Sequence, residues 1–457
     1  MPSAKSDESA NIMFELYFQT LRNLELLEPL DEVPFLIQQR KTGFTPRQRC
    51  LSILASLALD CEHLTDWTLT KRLDSRLQHW LDDRPAPHCS TLSRSLAATD
   101  KQTVQALREK LLVPLTNQCF LYPQALGPHV FFDIDNKALP AEGEDYEGTA
   151  TGRTADNGFA CGYRLHLISL ANCWPLEMYL TGANAHAVPS AMVMFQRLMG
   201  RIHGSLRDRL VVRGDADHGC VRFIRFLGRY RAGYLLKAYN SDTARNLWNE
   251  HSNQPQVRVV REDKIDLLAI DLGATVIHGM TRKELPKGKQ RRKPCQVTVP
   301  RVVVYHEDPT QVPEGTKAQC FALFTTLPTT DFDPAGLLEK AYLPRAGDIE
   351  NIFSQLDQAF RITNLRSRRF YGNWTFLLLA LVAAILTQMI RDEANVYDRP
   401  IPAGLKETLV AAADSGLRLT QDPDAGCVMN VTIIGRYTET FQLAIRCSHQ
   451  HRFRYAA

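Results

Sequence analysis

Four acidic residues at three joints of the chain have the types and surroundings to hold a divalent cation. Asp133 and Asp135 lie in one apolar run, Val130-Phe131-Phe132-Asp133-Ile134-Asp135. Asp215 ends another, Leu210-Val211-Val212-Arg213-Gly214-Asp215. Glu350 sits in the opening turn of a predicted amphipathic helix, Asp348-Ile349-Glu350-Asn351-Ile352-Phe353, with Asp348 as its N-cap. A carboxylate closing an apolar run packs poorly by itself, and its hard oxygens suit Mg²⁺. Asp133 and Asp135 are two residues apart in a strand and so share a face. Two carboxylates on an inward face repel each other and resist burial, and a cation removes both costs. Either of the two could be the first ligand; Asp135, before Asn136, could instead end the strand. Gly214 leaves room for a close approach beside Asp215. Asp217 suits a cap for the helix that starts near Cys220, and helix-dipole compensation alone would account for Glu350.

The cations form two groups. Tyr342 and Arg345 precede the Glu350 helix, and a hydroxyl with a guanidinium can grip a phosphate. Arg282, Lys283, Lys287, Lys289, Arg291, Arg292 and Lys293 crowd a loop marked by Pro286, Gly288 and Pro294, a composition that suits a nucleic-acid backbone. Arg361, Arg366, Arg368 and Arg369 make a weaker basic patch after the Glu350 helix. Cys447-Ser448-His449-Gln450-His451 is too tightly spaced for a structural zinc site. No phosphate-binding loop, dinucleotide glycine fingerprint, or serine or cysteine nucleophile motif occurs.

Composition sets the frame. The 457 residues can bury several cores, and a formal net charge of +4 does not by itself require a polyanionic partner. The 11 cysteines, odd in number and without a Cys-x-x-Cys, point to reduced thiols and a cytoplasmic protein. The N-terminus lacks an apolar signal core. The apolar run from Trp374 to Ile390 is slightly short for a bilayer and contains Thr387 and Gln388, so it reads as a buried helix.

The elements that must position the acids follow from periodicity. Residues 1–125 read as helical, and Ser90 is a candidate N-cap for a helix over 90–96 whose polar face could enter a DNA groove. Strands are predicted at Val130–Asp135, Gly162–Ala171, Leu176–Leu180, Leu210–Gly214 and Tyr234–Tyr239, with helices at Pro189–Ile202 and Cys220–Tyr230. Residues 241–333 read as an inserted β subdomain, 334–395 as the helices that complete the core, and 396–457 as a C-terminal region with a hairpin of Val428–Ile434 and Thr438–Ile445.

This order of strands and helices, with Phe132-Asp133-Ile134-Asp135-Asn136, Val212-Arg213-Gly214-Asp215-Ala216-Asp217 and Tyr342-x-x-Arg345 ahead of Asp348-Ile349-Glu350-Asn351, resembles the DDE transposases of bacterial insertion sequences over about Val130 to Leu386. The resemblance implies a ribonuclease H-like α/β core, a mixed sheet flanked by helices over 126–240 and 334–395. It is interrupted by the β insertion and preceded by a helical domain that reads element ends. It implies that Asp133 (or Asp135), Asp215 and Glu350 gather in one pocket and bind Mg²⁺, for which Mn²⁺ would substitute, and that Tyr342 and Arg345 contact phosphate. Two ions about 4 Å apart would serve cleavage at the ends and transfer of the 3′-OH into target DNA. Double-stranded DNA, as terminal repeats and as target, and a second copy of the chain would be the partners. Two departures stand out. Four residues, where the family usually has three, separate Arg345 from Glu350, and Asp357 stands where the family often has lysine. They leave an inactive, transposase-derived DNA-binding protein as the alternative.

Overall fold

The computed structural model describes residues 6–435, apart from residues 10–11, 38–42, 121–126, 142–144, 154–157, 172–173, 203, 263, 285–289, 396–404, 414 and 422–428. After a short strand, β1 (Ser6–Ser9), the chain is helical: α1 (Met13–Asn23), α2 (Pro46–Ala58), α3 (Leu69–Arg72), α4 (Ser75–Trp80), α5 (Cys89–Ala97), α6 (Lys101–Leu107) and α7 (Val113–Asn117). Thr45 and Gln48 form a capping box at the start of α2. The N-cap of α5 is His88, whose ring accepts from the Ser90 N–H, so Ser90 lies inside the helix rather than at its cap.

Next come β2 (Val130–Pro140), β3 (Ala150–Arg153), β4 (Phe159–Leu170), β5 (Trp174–Gly182), α8 (Ala187–Met199), α9 (Gly204–Arg207), β6 (Leu210–Gly214), α10 (Val221–Arg229) and β7 (Gly233–Lys237). The strands β2, β6 and β7 are parallel neighbours, and β6 is buried along its whole length. A parallel central strand covered on both faces must be apolar throughout. Arg213 is the exception in β6.

Residues 241–333 do not form a separate β layer. After α11 (Ser241–His251), β8 (Val257–Val259) and β9 (Leu267–Asp271) are followed by β10 (Thr275–Glu284), β11 (Gln290–Val299), β12 (Arg301–Glu307) and β13 (Cys320–Thr325). Strand β13 pairs antiparallel with β7, and β12, β9 and β8 follow in order, giving ten strands in one sheet. The buried runs Val302–Tyr305 and Ala322–Phe324 have cover on both faces: Val302, Val304, Ala322 and Phe324 join the main core, and Val303, Tyr305 and Leu323 pack with Leu337, Leu338 and Ala341 on the other face. Only β10 and β11 stand apart, as a two-stranded hairpin.

The chain then passes through α12 (Pro334–Gly336) and a π-helical turn, Leu337–Tyr342, into α13 (Leu343–Phe360) and α14 (Phe370–Asn395). Helix α14 is long and apolar enough to cross a membrane, but its apolar window is wholly buried inside the protein. It packs against α1, α2, α5 and α6 of the N-terminal region and against β5 and α13. The N-terminal helices and the sheet therefore share one hydrophobic core built around α14. Two of its buried polar side chains are answered: Asn373 exchanges hydrogen bonds with the Ser367 backbone, and Thr387 donates to Ala383 O. The last described elements are α15 (Leu405–Ala413), β14 (Ser415–Gln421) and β15 (Met429–Gly435). Strand β15 pairs with β14, which in turn pairs with β1; the second strand of the expected hairpin, residues 438–445, lies outside the described residues.

Because α14 is the shared core of both regions, Leu379→Ala should destabilise the whole protein by about 2–5 kcal/mol. Chemical denaturation should show the loss in a single transition. Separate transitions for the N-terminal helices and the sheet would contradict a shared core.

Candidate active site

Strand β2 carries both aspartates toward α13, but it places them in different company. Asp133 is fully buried, and both its oxygens are held by Arg213 of β6, at 2.6 Å from Nε and 2.7 Å from Nη2. Strand register sets this pair, since Asp133 and Arg213 lie opposite each other in the parallel β2–β6 ladder. The same guanidinium donates to Ala341 O at 2.7 Å and to Asp348 at 3.1 Å, and it lies 4.7 Å from the Phe131 ring centre. Burial pushes the Asp133 carboxyl upward, against the pull of Arg213. Asp133 is thus the anchor of an ion pair that joins β2, β6 and α13, and its oxygens are already committed.

One step along the ladder the pattern changes. Ile134 pairs with Gly214, the last residue of β6, so Asp215 follows directly past the carboxyl end of β6 beside Asp135 of β2, with the strands about 5 Å apart; β2 runs on to Pro140, so Asp135 does not end its strand. Both are partly open, with side chains 18% and 35% exposed. Asp135 accepts from Arg345 Nη2 at 2.8 Å. Burial, with the nearby Asp215 charge, raises its pKa despite Arg345. Asp215 Oδ1 lies 2.8 Å from His218 Nδ1 and accepts the Asp217 N–H at 3.0 Å. Burial raises the Asp215 pKa, but His218 and Arg345 outweigh it and the net shift is downward. Asp217 therefore braces Asp215 through its backbone and caps nothing; Cys220 is the N-cap of α10, without a side-chain hydrogen bond. The room left by Gly214 is filled by His218, since a Cβ there would meet the His218 Cβ at 2.9 Å.

The third expected acid is placed apart. Helix α13 begins at Leu343, with Pro344 in its first turn, rather than at Asp348. Arg345 and Ile349 consequently face the sheet, Asp348 turns toward Arg213, and Glu350 lies on the exposed side. Among the described residues, no three His, Cys, Asp or Glu side chains are grouped to hold a metal ion. Asp133, Asp215 and Glu350 are not gathered; Asp135 and Asp215 are.

The cations also sort differently from expectation. Arg345 is buried and paired with Asp135 and the Ile134 carbonyl. Tyr342 is largely buried beside it, and burial pushes its hydroxyl up to about 12. Asp357, in place of a lysine, accepts from Thr363 and pairs at 3.4 Å with Lys137, two residues beyond Asp135 on the same face of β2. In the hairpin, Arg282 lies opposite Arg292 and Lys283 opposite Arg291. Lys293 lies opposite Thr281, while Lys287 and Lys289 lie outside the described residues. The patch after α13 is neutralised: Arg361 pairs with Glu62, Arg368 with Asp145 and Arg369 with Glu147, while Arg366 is buried against Cys61 O and the Phe376 ring.

The chain matches the family described as "Transposase DDE domain" over residues 126–386, more than half of its 457 residues, and belongs to that family. No curated protein matches it. Among solved structures it is similar to a piggyBac transposase in a synaptic complex with hairpin DNA, determined by cryo-electron microscopy. That similarity has a TM-score of 0.45 at 10% identity and covers 88% of this chain and 79% of the other.

The Asp133–Arg213 pair makes a stability prediction. Breaking a buried pair leaves one charge uncompensated, so Asp133→Leu or Arg213→Met alone should cost about 3–5 kcal/mol. The double replacement should cost clearly less than the sum, measured as a double-mutant cycle by urea denaturation. Additive losses would show that the pair does not hold the three elements together.

Burial, with the nearby His218 and Arg164, lowers the His166 pKa from 6.5 to about 3. As pH falls from about 6.5 toward about 3, the unfolded chain binds a proton that the folded chain refuses, so stability falls. Above that window the effect vanishes. In thermal melts His166→Gln should flatten this acid-side loss; an unchanged slope would contradict it.

Proposed function

We propose that the protein is a DNA transposase that cuts duplex DNA at element ends and transfers the freed 3′-OH into target DNA. The observation that carries this reading is the adjacency of Asp135 and Asp215 where the parallel β2–β6 ladder ends, within a chain of the DDE transposase family. The pair fits a divalent metal: two neighbouring carboxylates disfavour each other's charge, and Mg²⁺ is commonly held by one or two carboxylates together with substrate phosphate. Such an ion, Mg²⁺ or Mn²⁺, would activate water and stabilise the leaving 3′ oxygen.

The remaining roles belong to this chain's own groups. Asp135 and Asp215 bind the cation, and Glu350, a carboxylate free of the Arg213 network, is the third acid that α13 can offer. Arg345 fixes Asp135, and His218 fixes Asp215 by its ring N–H, as outer partners do for metal-holding carboxylates. Tyr342, kept protonated by burial, is a donor beside the pair, and Lys137 supplies the positive charge that Asp357 does not. The cationic hairpin holds DNA backbone, the N-terminal helices read the terminal repeats, and two copies of the chain bring two ends together.

A second reading, an inert DNA-binding descendant of a transposase, is favoured by the exposed setting of Glu350. The two separate in one experiment. A duplex carrying the inverted repeats that flank the gene is incubated with protein and Mg²⁺, Mn²⁺ or EDTA. Asp135→Asn, Asp215→Asn and Glu350→Gln should each lower metal-dependent nicking more than about 10²-fold, and His218→Ala by about 10 to 10²-fold. Binding of the repeats without nicking in either metal would establish the inert reading. Full activity in Asp135→Asn would overturn the assignment of the acid pair.

A further inference from the structure

Helix α10 carries a basic stripe that sequence patterning passed over. Its buried face is Val221, Phe223, Ile224, Phe226 and Leu227. Arg222, Arg225 and Arg229 are exposed on the other side, and Arg231 follows in the turn. None of these four guanidiniums makes an ion pair, hydrogen bond or ring contact with another described residue. The contrast with the arginines after α13, each engaged by an acid, a carbonyl or a ring, is direct. Unpaired like charges at helical spacing repel one another, so the cluster costs stability unless an anion meets it.

Backbone geometry adds a second observation. Helix α10 ends in a Schellman turn, with Ala232 N–H on Leu227 O and Arg231 N–H on Gly228 O. Arg231 occupies the left-handed position at φ 54°, where glycine is normally favoured. Arginine there costs on the order of 1 kcal/mol. It faces a cleft of about 740 Å³ lined by Arg209, Arg225, Arg229 and Arg231, with Asp208 as the one carboxylate in the lining.

Direction gives the stripe meaning. Strands β6 and β7 are parallel, so the helix between them runs back from the acid end of the sheet to the opposite end. Arg222 lies seven residues past Asp215, and Arg229 a further seven along, about 10 Å at 1.5 Å per residue. That is the rise of about three base pairs. The β10–β11 hairpin packs on the start of α10, where a Cβ on Gly279 would meet Val221 at 2.7 Å.

We propose that Arg222, Arg225, Arg229 and Arg231 form a track for the phosphate backbone of duplex DNA leading away from the Asp135–Asp215 pair. Guanidinium forks match phosphate oxygens, and an exposed stripe without base-reading shape predicts contact independent of sequence. The track rests on the transposase reading, but its test needs no catalysis.

The full chain and its Arg222→Gln/Arg225→Gln/Arg229→Gln variant are titrated onto a fluorescent duplex lacking the terminal repeats. Binding is measured in EDTA, from about 50 to about 200 mM KCl. The variant should melt at or above the parent temperature, bind about tenfold or more weakly, and lose about 2.7 from the log–log salt slope, at about 0.9 per phosphate contact. The corresponding triple lysine variant should keep most of the slope. A folded triple glutamine variant with the parent's slope and affinity overturns the track. So does a parent that binds no such duplex. In either case metal-dependent nicking at the repeats, assayed separately, still decides the transposase reading.

Discussion

A cation buried in the central strand of a sheet has to be answered, and Arg213 is answered by three elements at once. Both forks of its guanidinium meet Asp133 on β2, one reaches Asp348 on α13, and its third nitrogen holds the carbonyl of Ala341 at the end of the π-helical turn. Water cannot substitute, because the side chain is 2% exposed. The strands that carry the acids and the helix that closes over them are therefore fixed relative to one another. Such a pair contributes little net stability over a hydrophobic alternative, but it strongly penalises any other arrangement of the same three elements.

This constraint divides the acids. Two residues on the same face of one strand differ only in depth: Asp133 lies level with Arg213 and is consumed by it, while Asp135 lies one pleat further, beside Asp215 and partly open to solvent. The outer pair is in turn braced by Arg345 and His218, each making one contact and leaving part of its carboxylate exposed. The inner ion pair orders the backbone, and the outer one retains oxygens for a ligand.

Much of this was legible in the sequence. The strands at Val130, Gly162 and Leu210, the amphipathic α10 and the buried α14 all follow from period and length. Arg213 could have been read as well: a charge inside Leu210-Val211-Val212-Arg213-Gly214 demands a partner. The identity of that partner, 80 positions away, depends on strand order, which periodicity does not contain. The strands after residue 241 look alike whether they form their own layer or extend a sheet; the pairing of β13 with β7 decides that. Helix α13 starts earlier than its N-cap signal suggested because a π-helical turn runs directly into it and Pro344 lies in its first turn, and Glu350 falls on its exposed side. The cations after α13 looked free because their acids, Glu62, Asp145 and Glu147, come from distant segments.

The central claim is that Asp135 and Asp215, not Asp133, receive the metal. Anomalous diffraction from crystals grown with Mn²⁺ and a duplex of the flanking repeats tests it most directly. The account predicts a manganese peak in contact with carboxylate oxygens of both Asp135 and Asp215, with Asp133 still closed on Arg213. Manganese bound to Asp133, with Arg213 displaced, would contradict it.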